Sequence, residues 1–537
     1  MKIRRICELG VKRYLQAALS GVLLILAFPG INLSSLAWVA LVPLLVAVYD
    51  ANWKQSLISG LISGFVYFVG TLNWFMALGP FSSIFWVVLG LLVLSLYVSC
   101  YVIIFAGTIN YINRFWINFK RNGMGVFQRI TYILFAAAVW TGMEILRGHV
   151  ATGFPWVALC HTQWRNLPIL QLCSVTGMYG ITFLIVSINA AFALFVIDIR
   201  TWKLSAKAAL VPLVFLILSL IYAGFALNQS PTDEKIKIAL IPGNIRQKDK
   251  IMSWGRADWI FNRYARITNR AAKENPDLIV WPETSVPRYT FSAGFVPLEV
   301  KTLVKNWGAY FLIGSPHKVW EGRRKTYNGA FLLSPDGEIM DLYYKMHLVP
   351  VSEYFPMKEF LPEKIQRMVV GVSDWDAGSK YTIFSMPPAK FGLSICFESI
   401  FPGISRKFAS KGTNLAGIIT NDAWFEGTYA PEQHLSMAPF RAVENNTSVF
   451  RCANNGISCI IDPWGRIGNV LEPNADDEYT FGEAMLHPGG TIYTRLGDYF
   501  PWACLAIVVF LVFNIWWYRR KYYSEEFVPF GFSVITI

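Results

Sequence analysis

Along the first 227 residues apolar side chains run on without alternation, and polar residues break in only at short intervals. Seven such runs lie at about residues 14–29, 33–49, 56–77, 82–108, 130–146, 178–197 and 208–227, and an eighth at about 499–518. Most approach the roughly 20 residues that a helix needs to cross hydrocarbon, so eight spans are predicted. The first two runs are short and joined by Pro29-Gly30, which predicts a tight helical hairpin. The first follows the basic stretch Lys2-Ile3-Arg4-Arg5, as a secretory signal would. No small-x-small cleavage pattern comes after it and a second run follows at once, so a retained helix is expected.

Residues 233–487 are patterned differently. Ile236-Lys237-Ile238-Ala239-Leu240-Ile241 reads as a strand closed by Pro242-Gly243. Trp259, Ile260, Tyr264, Ile267 and Ala271 fall on one helical face. Further strands are predicted at Leu278–Trp281, Tyr310–Gly314, Phe391–Cys396, Ala416–Thr420 and Val449–Asp462, with a strand–turn–strand over Ala330–Ile339. Strands interleaved with helices imply an α/β domain around a buried sheet. The expected division is a membrane domain at 1–228, a catalytic domain at 229–490, and a last span with its tail at 491–537.

Composition agrees with the pattern. The chain has 537 residues, 54% hydrophobic and only 15% charged, with a mean hydropathy of +0.39, beyond what a soluble chain usually carries. The net charge of +13 does not signal nucleic acid, because no basic stripe interleaved with aromatics occurs in the polar part. The basic residues instead flank apolar runs: Arg4, Arg5, Lys12 and Arg13; Lys54; Arg114, Lys120, Arg121 and Arg129; Arg200, Lys203 and Lys207; Arg519, Arg520 and Lys521. The alternate loops hold only Arg147 and Arg165. Placing the first set in the cytoplasm puts both termini inside and residues 228–498 outside. One miscounted span would reverse that orientation. The eight cysteines show no CxxC spacing and no metal-ligand pattern, so no metal or organic cofactor is expected. Cys452 and Cys459 flank the turn Asn454-Asn455-Gly456, and a disulfide between them is left open.

Three polar residues sit at strand ends. Glu283 follows the strand Leu278–Trp281, Lys345 lies in Tyr344-Lys345-Met346-His347-Leu348-Val349-Pro350, and Cys396 ends the strand that begins at Phe391. Taken singly, Cys396 reads as a core thiol, Glu283 as a loop carboxylate and Lys345 as a surface lysine. Together, at carboxyl ends of strands, they support acyl transfer. A thiol needs a neighbouring carboxylate to take its proton; a lysine steadies the thiolate and the tetrahedral oxyanion, and the N–H of Phe397 is placed to donate to the same oxyanion. His347 beside Lys345 reads as a structural histidine.

Trp281-Pro282-Glu283-Thr284, Tyr344-Lys345-Met346-His347-Leu348-Val349-Pro350 and Ile395-Cys396-Phe397-Glu398 resemble the Glu, Lys and Cys signatures of the nitrilase superfamily. More narrowly, the chain is similar to its membrane-embedded branch, the apolipoprotein N-acyltransferase family. Supporting stretches are Thr152-Gly153-Phe154-Pro155-Trp156, Gly243-Asn244-Ile245, Glu353-Tyr354-Phe355-Pro356, Thr420-Asn421-Asp422-Ala423-Trp424-Phe425, Gln433-His434, Asn455-Gly456-Ile457-Ser458 and Ile461-Asp462-Pro463-Trp464-Gly465-Arg466. The resemblance covers nearly the whole chain. It implies an αββα sandwich beside the spans, with Glu283 as general base, Lys345 as oxyanion stabiliser, Cys396 as nucleophile, and Glu353 and Glu398 as supporting carboxylates. Pro242 in place of the family's Gln, Val351-Ser352 in place of Phe-Gly, and the inserted Glu426 depart from the family pattern in loops around the site.

The resemblance also implies the reaction: an acyl chain moves from a phospholipid, typically phosphatidylethanolamine, through a Cys396 thioester to the α-amino group of a lipoprotein's diacylglyceryl-cysteine. The bacterial inner membrane, a periplasmic catalytic domain and a monomer are the matching expectations. Trp74, Trp156, Phe291 and Phe295 are candidates for guiding lipid, with interfacial anchoring or core packing as the alternative. Two other classes stay open: a membrane-tethered amidase or nitrilase using the same three residues on a small amide, and a transporter with an accessory domain. Against the transporter, the spans hold few ionisable groups, Glu144 being an exception.

Overall fold

The computed structural model describes residues 2–119, 124–230, 232–251, 253–286, 296–355, 375–474 and 478–522. Among these, six helices are long and apolar enough to cross a membrane: Gly10–Ala27, Ile84–Phe115, Val126–Arg147, Tyr179–Ile197, Ile199–Leu227 and Tyr499–Lys521. A seventh place is taken by the pair Trp53–Thr71 and Asn73–Phe81, bent by 49° at the break. The second expected span, at 33–49, is not a full one. Its run forms a tight turn, Ser34–Trp38, and a helix, Val42–Tyr49, of only 8 residues. At 1.5 Å per residue that helix is about 12 Å long, too short for hydrocarbon, and Leu44, Leu45, Ala47 and Val48 are buried among its neighbours. The eight spans expected are therefore, among the described residues, six, a bent seventh and a short apolar element.

Small residues set how closely the helices approach, since apolar lipid offers no hydrophobic drive for helix association. A Cβ on Gly60 would stand 2.8 Å from Ile103 Cα, and Ser56 Oγ donates to Ala106 O at 2.8 Å. Buried Glu144 accepts from Trp140 Nε1 at 3.0 Å, Leu159 N at 2.8 Å and Thr182 Oγ1 at 2.8 Å. The carboxylate thus ties the loop after helix Val126–Arg147 back onto the bundle. The helices Ile199–Leu227 and Tyr499–Lys521 bury few of their residues, and large apolar side chains on them face outward.

Among its described residues the polar part carries twelve strands: β1 (Lys235–Leu240), β2 (Leu278–Trp281), β3 (Tyr310–Glu321), β4 (Arg323–Leu333), β5 (Ile339–Tyr344), β6 (Phe384–Met386), β7 (Ala389–Ile395), β8 (Leu415–Asn421), β9 (Ser448–Asn454), β10 (Ser458–Ile461), β11 (Ile467–Leu471) and β12 (Thr480–Met485). They form two six-stranded sheets, ordered β12-β1-β2-β3-β4-β5 and β11-β10-β9-β8-β7-β6. Alternation along β2 explains the stacking. Leu278 and Val280 pack in the core shared with the second sheet, whereas Ile279 and Trp281 turn outward to helix residues Ile260, Tyr264, Val300 and Val304. Helices Pro402–Ala409 and Ala438–Asn445 contact the second sheet, which completes an αββα sandwich. The predicted helical face at Ile260, Tyr264 and Ile267 is buried as expected. Cys452 and Cys459 are both free; Arg451 rather than Cys452 stands opposite Cys459 in the register.

Sandwich and bundle are joined by buried polar contacts: Met178 N donates to Glu444 Oε1 at 3.1 Å, and Gln171 Nε2 to Trp464 O at 2.9 Å.

Candidate active site

Glu283, Lys345 and Cys396 arrive from three strand ends. β2 stops at Trp281, β5 at Tyr344 and β7 at Ile395, so each residue stands just beyond hydrogen-bonded backbone. The Pro282-Glu283 turn presses on β3, where a Cβ on Gly314 would stand 2.3 Å from Pro282 O. Only a residue without a side chain admits that approach. Cys396 begins a tight turn over Cys396–Ile400 with a φ of 53°. This left-handed conformation is costly for a residue with a Cβ and marks functional sites when the surroundings enforce it.

The lysine joins the carboxylates. Lys345 Nζ donates to Glu353 Oε1 at 2.8 Å and lies 3.7 Å from Glu283 Oε1, with the lysine only 1% exposed. Burial alone would lower its pKa, but Glu353, Glu283 and Cys396 outweigh that and hold it raised, so the side chain stays cationic. Burial pushes the Cys396 thiol up to about 12, helped by the Glu283 carboxylate and opposed by Lys345 and the Thr420 hydroxyl. The resting Cys396 side chain is therefore a thiol, and attack by it would require the proton to leave.

Glu283 is fixed at both oxygens. Asn328 Nδ2 donates to Oε1 at 2.7 Å and Asn421 N to Oε2 at 2.9 Å. Glu353 Oε2 accepts from Val349 N at 2.8 Å, so the carboxylate that holds Lys345 also folds the segment after it. Glu398, fully buried, bridges two of the three strand ends. Its Oε1 accepts from Tyr343 Oη at 2.9 Å, Met346 N at 2.7 Å and His347 N at 3.1 Å, and its Oε2 from Ile395 N at 2.8 Å. Burial raises its pKa to about 7 against the pull of those N–H groups and Lys345. Phe397 follows Cys396 in the first turn, where backbone N–H groups lack intrahelical acceptors; its ring packs on Phe401.

The remaining sequence candidates fall elsewhere. Trp74 and Trp156 are 5% and 4% exposed, their rings 5.3 Å apart, and both indole N–H groups are bonded to Gln433. Phe291 and Phe295 lie outside the described residues. His347 stacks 3.9 Å from Phe401, and burial lowers its pKa.

Sequence reasoning missed Lys250. Its Nζ, in a residue 7% exposed, donates to Glu283 O at 3.1 Å and to Thr284 Oγ1 at 3.3 Å. Burial lowers its pKa to about 7, with Glu283 pulling the other way. Nothing in the charged run Arg246-Gln247-Lys248-Asp249-Lys250 singles that lysine out. Asn328 was equally silent, although a polar residue just before the apolar run Ala330–Leu333 was a usable signal. The inserted Glu426 lines, with Arg165, Glu432, Asn455 and Arg466, a groove of about 860 Å³ that none of the three central residues touches. Among the described residues no cluster of His, Cys, Asp and Glu is placed to hold a metal.

Known proteins align with both halves. Residues 20–191 match the model of the apolipoprotein N-acyltransferase N-terminal domain, and residues 237–477 that of carbon-nitrogen hydrolases. An apolipoprotein N-acyltransferase of Chlorobaculum tepidum is 27% identical over 92% of this chain and 95% of its own. One of Geobacter metallireducens is 35% identical over 95% of this chain and 96% of its own. An identity of that size running through membrane part and sandwich alike makes the chain a member of the apolipoprotein N-acyltransferase family.

Proposed function

We propose that the chain transfers an acyl chain from a phospholipid to the α-amino group of the diacylglyceryl-cysteine of an apolipoprotein, with Cys396 as nucleophile, Glu283 as base and Lys345 as stabiliser of negative charge. The observation that carries this reading is the convergence of those three groups: buried Lys345 and Glu283 stand 3.7 Å apart, and half-buried Cys396 is close enough to act electrostatically on both.

In the first step Cys396 Sγ attacks the ester carbonyl while Glu283 takes the thiol proton. The C–S bond forms, and collapse of the tetrahedral oxyanion breaks the C–O bond. Glu283 returns the proton to the leaving alkoxide, which departs as a lysophospholipid. In the second step the substrate amine attacks the thioester, Glu283 takes an amine proton, the amide forms and the thiolate is reprotonated. Lys345 is next to the charge in both steps, and Phe397 N–H is the second donor.

The membrane helices fit this chemistry because both substrates carry acyl chains, and each methylene drawn into water would cost about 0.8 kcal/mol. Phosphatidylethanolamine is the proposed donor, the bacterial inner membrane the proposed location and a monomer the proposed state, with the chain divided near residues 229 and 490. We place the sandwich on the periplasmic side and both termini in the cytoplasm, on the charge distribution between loops. That orientation needs Ser34–Tyr49 to return the chain as the short arm of a hairpin.

The test uses purified wild type and Cys396→Ser with alkyne-labelled phosphatidylethanolamine. Hydroxylamine-sensitive label on the wild type alone, removed by a diacylated lipopeptide, is expected. Folded wild type that takes no label from any phospholipid would overturn the assignment.

A further inference from the structure

Gln433 and His434 are neighbours on the short helix Ala430–Leu435, each 3% exposed, and they face opposite tasks. Gln433 Oε1 accepts from Trp74 Nε1 at 3.1 Å and from Trp156 Nε1 at 2.9 Å, while its Nε2 donates to Thr71 O at 3.0 Å. Only this orientation of the amide satisfies all three partners, because a flipped amide would turn its NH₂ toward two indole N–H donors. Thr71 ends the first arm of the 49° bend and Trp74 belongs to the second. One side chain of the sandwich thus bonds both arms of a bent span, and also the loop that carries Trp156. A helix-terminal carbonyl that lacks an intrahelical donor receives one from the other domain.

The next residue reaches the nucleophile. His434 Nε2 lies 2.8 Å from Ser399 Oγ and 3.2 Å from Cys396 O, and Ser399 Oγ donates to the same carbonyl at 2.8 Å. On the far side of the ring, Asp422 Oδ1 stands 3.0 Å from Nδ1, and Arg451 Nη2 holds Asp422 Oδ2 at 2.6 Å. The Trp156 ring lies 5.4 Å from the imidazole. Cys396 is held at a φ of 53°, a conformation that persists where the surroundings enforce it, and Ser399 and His434 both hold its carbonyl.

We propose that Gln433 and His434 form a tie through which the bent span and the Trp156 loop set the backbone of Cys396, making both of them positioning residues for acyl transfer. The proposal rests on the reading of Cys396 as nucleophile. Seating of the membrane segments then governs how fast the thiol attacks, separately from how tightly lipid is held.

Single-turnover formation of the thioester from alkyne-labelled phosphatidylethanolamine, followed against donor concentration in the full-length protein, separates the two. Gln433→Met removes the shared acceptor, and Trp74→Phe removes one donor while keeping a ring in place. Trp74→Phe should slow the rate at saturating donor roughly five- to tenfold, the size of one lost hydrogen bond, and Gln433→Met, which loses three, by at least as much, with the half-saturating concentration unchanged in both. Thermal unfolding of the Trp74 variant, whose packing is nearly intact, guards against a folding defect. An unchanged saturating rate in both substituted proteins, or a shift in half-saturation alone, would overturn the tie. Wild type without label would sink the nucleophile assignment as well, which sets that failure apart.

Discussion

Lys345 stands 2.8 Å from Glu353 and makes its direct hydrogen bond there, while Glu283 is 3.7 Å away. Glu283, the proposed base, is thereby spared a short ion pair that would occupy one of its oxygens. Glu353→Gln removes the charge that draws the ammonium aside, and Lys345 should close on Glu283. An ammonium bonded there competes for the oxygen proposed to take the thiol proton, a kind of step that contributes roughly 10²–10⁴ in rate. Single-turnover thioester formation should fall at least about tenfold in this variant, and a rate equal to wild type would show that Glu353 only folds the Val349 segment.

The Cys396 thiol, pushed up to about 12 by burial and then by Glu283, stays protonated at neutral pH. Without a base only the small thiolate fraction reacts. Glu283→Gln should leave a residual thioester-forming rate that climbs about tenfold per pH unit between about pH 7 and 9, where the wild-type rate stays nearly level. A flat profile in the variant would mean that another group takes the proton.

Lys250 gives a pH dependence of stability with a definite sign. Its pKa is about 7 in the folded chain against an ordinary 10.5. Between those values the unfolded chain binds more protons, so stability rises with pH. The cost of burying the ammonium is present in full below about pH 7 and fades toward about 10.5. Thermal midpoints of wild type should gain on those of Lys250→Met across that window; parallel curves would contradict the assignment.

Backbone strain at Cys396 is open to a simple comparison. With φ at 53°, Cys396→Ala keeps the Cβ penalty while Cys396→Gly releases it. The glycine variant should be about 0.5–1 kcal/mol more stable than the alanine variant in chemical unfolding, although both lack the nucleophile. The reverse order would mean that the turn is unstrained.

What the chain disclosed in advance follows from how local each signal is. The strand preceding Cys396 was readable because Phe391, Leu393 and Ile395 need only their own alternation to be seen. Glu283, Lys345 and Cys396 stood out because each closes such a strand. Lys250 was invisible, since its burial comes from the turn at Glu283 folding over it, 33 residues away in the chain. Gln433 was seen as part of a motif, but its three partners lie more than 270 residues upstream. The 33–49 run misled in the other direction: hydropathy reports what a segment avoids, and Val42–Tyr49 avoids water by burial among other helices.

The pairing of β1 with β12 has a mechanical consequence. The two strands run antiparallel from Lys235 opposite Met485 to Leu240 opposite Thr480, so the chain enters and leaves the sandwich at the same end of one ladder. Helix Trp202–Leu227 leads into that end and helix Tyr499–Tyr522 leads away from it. Sideways separation of the two helices loads the ladder in unzipping mode, beginning at the Lys235–Met485 pair, and the Lys235–Glu483 ion pair at 3.1 Å lies beside that first rung. Motion of both helices together leaves that ladder unloaded. The sandwich is thus held by a closed clasp in addition to its buried contacts with the bundle, and the clasp yields to drift of its two anchors in concert while resisting their divergence.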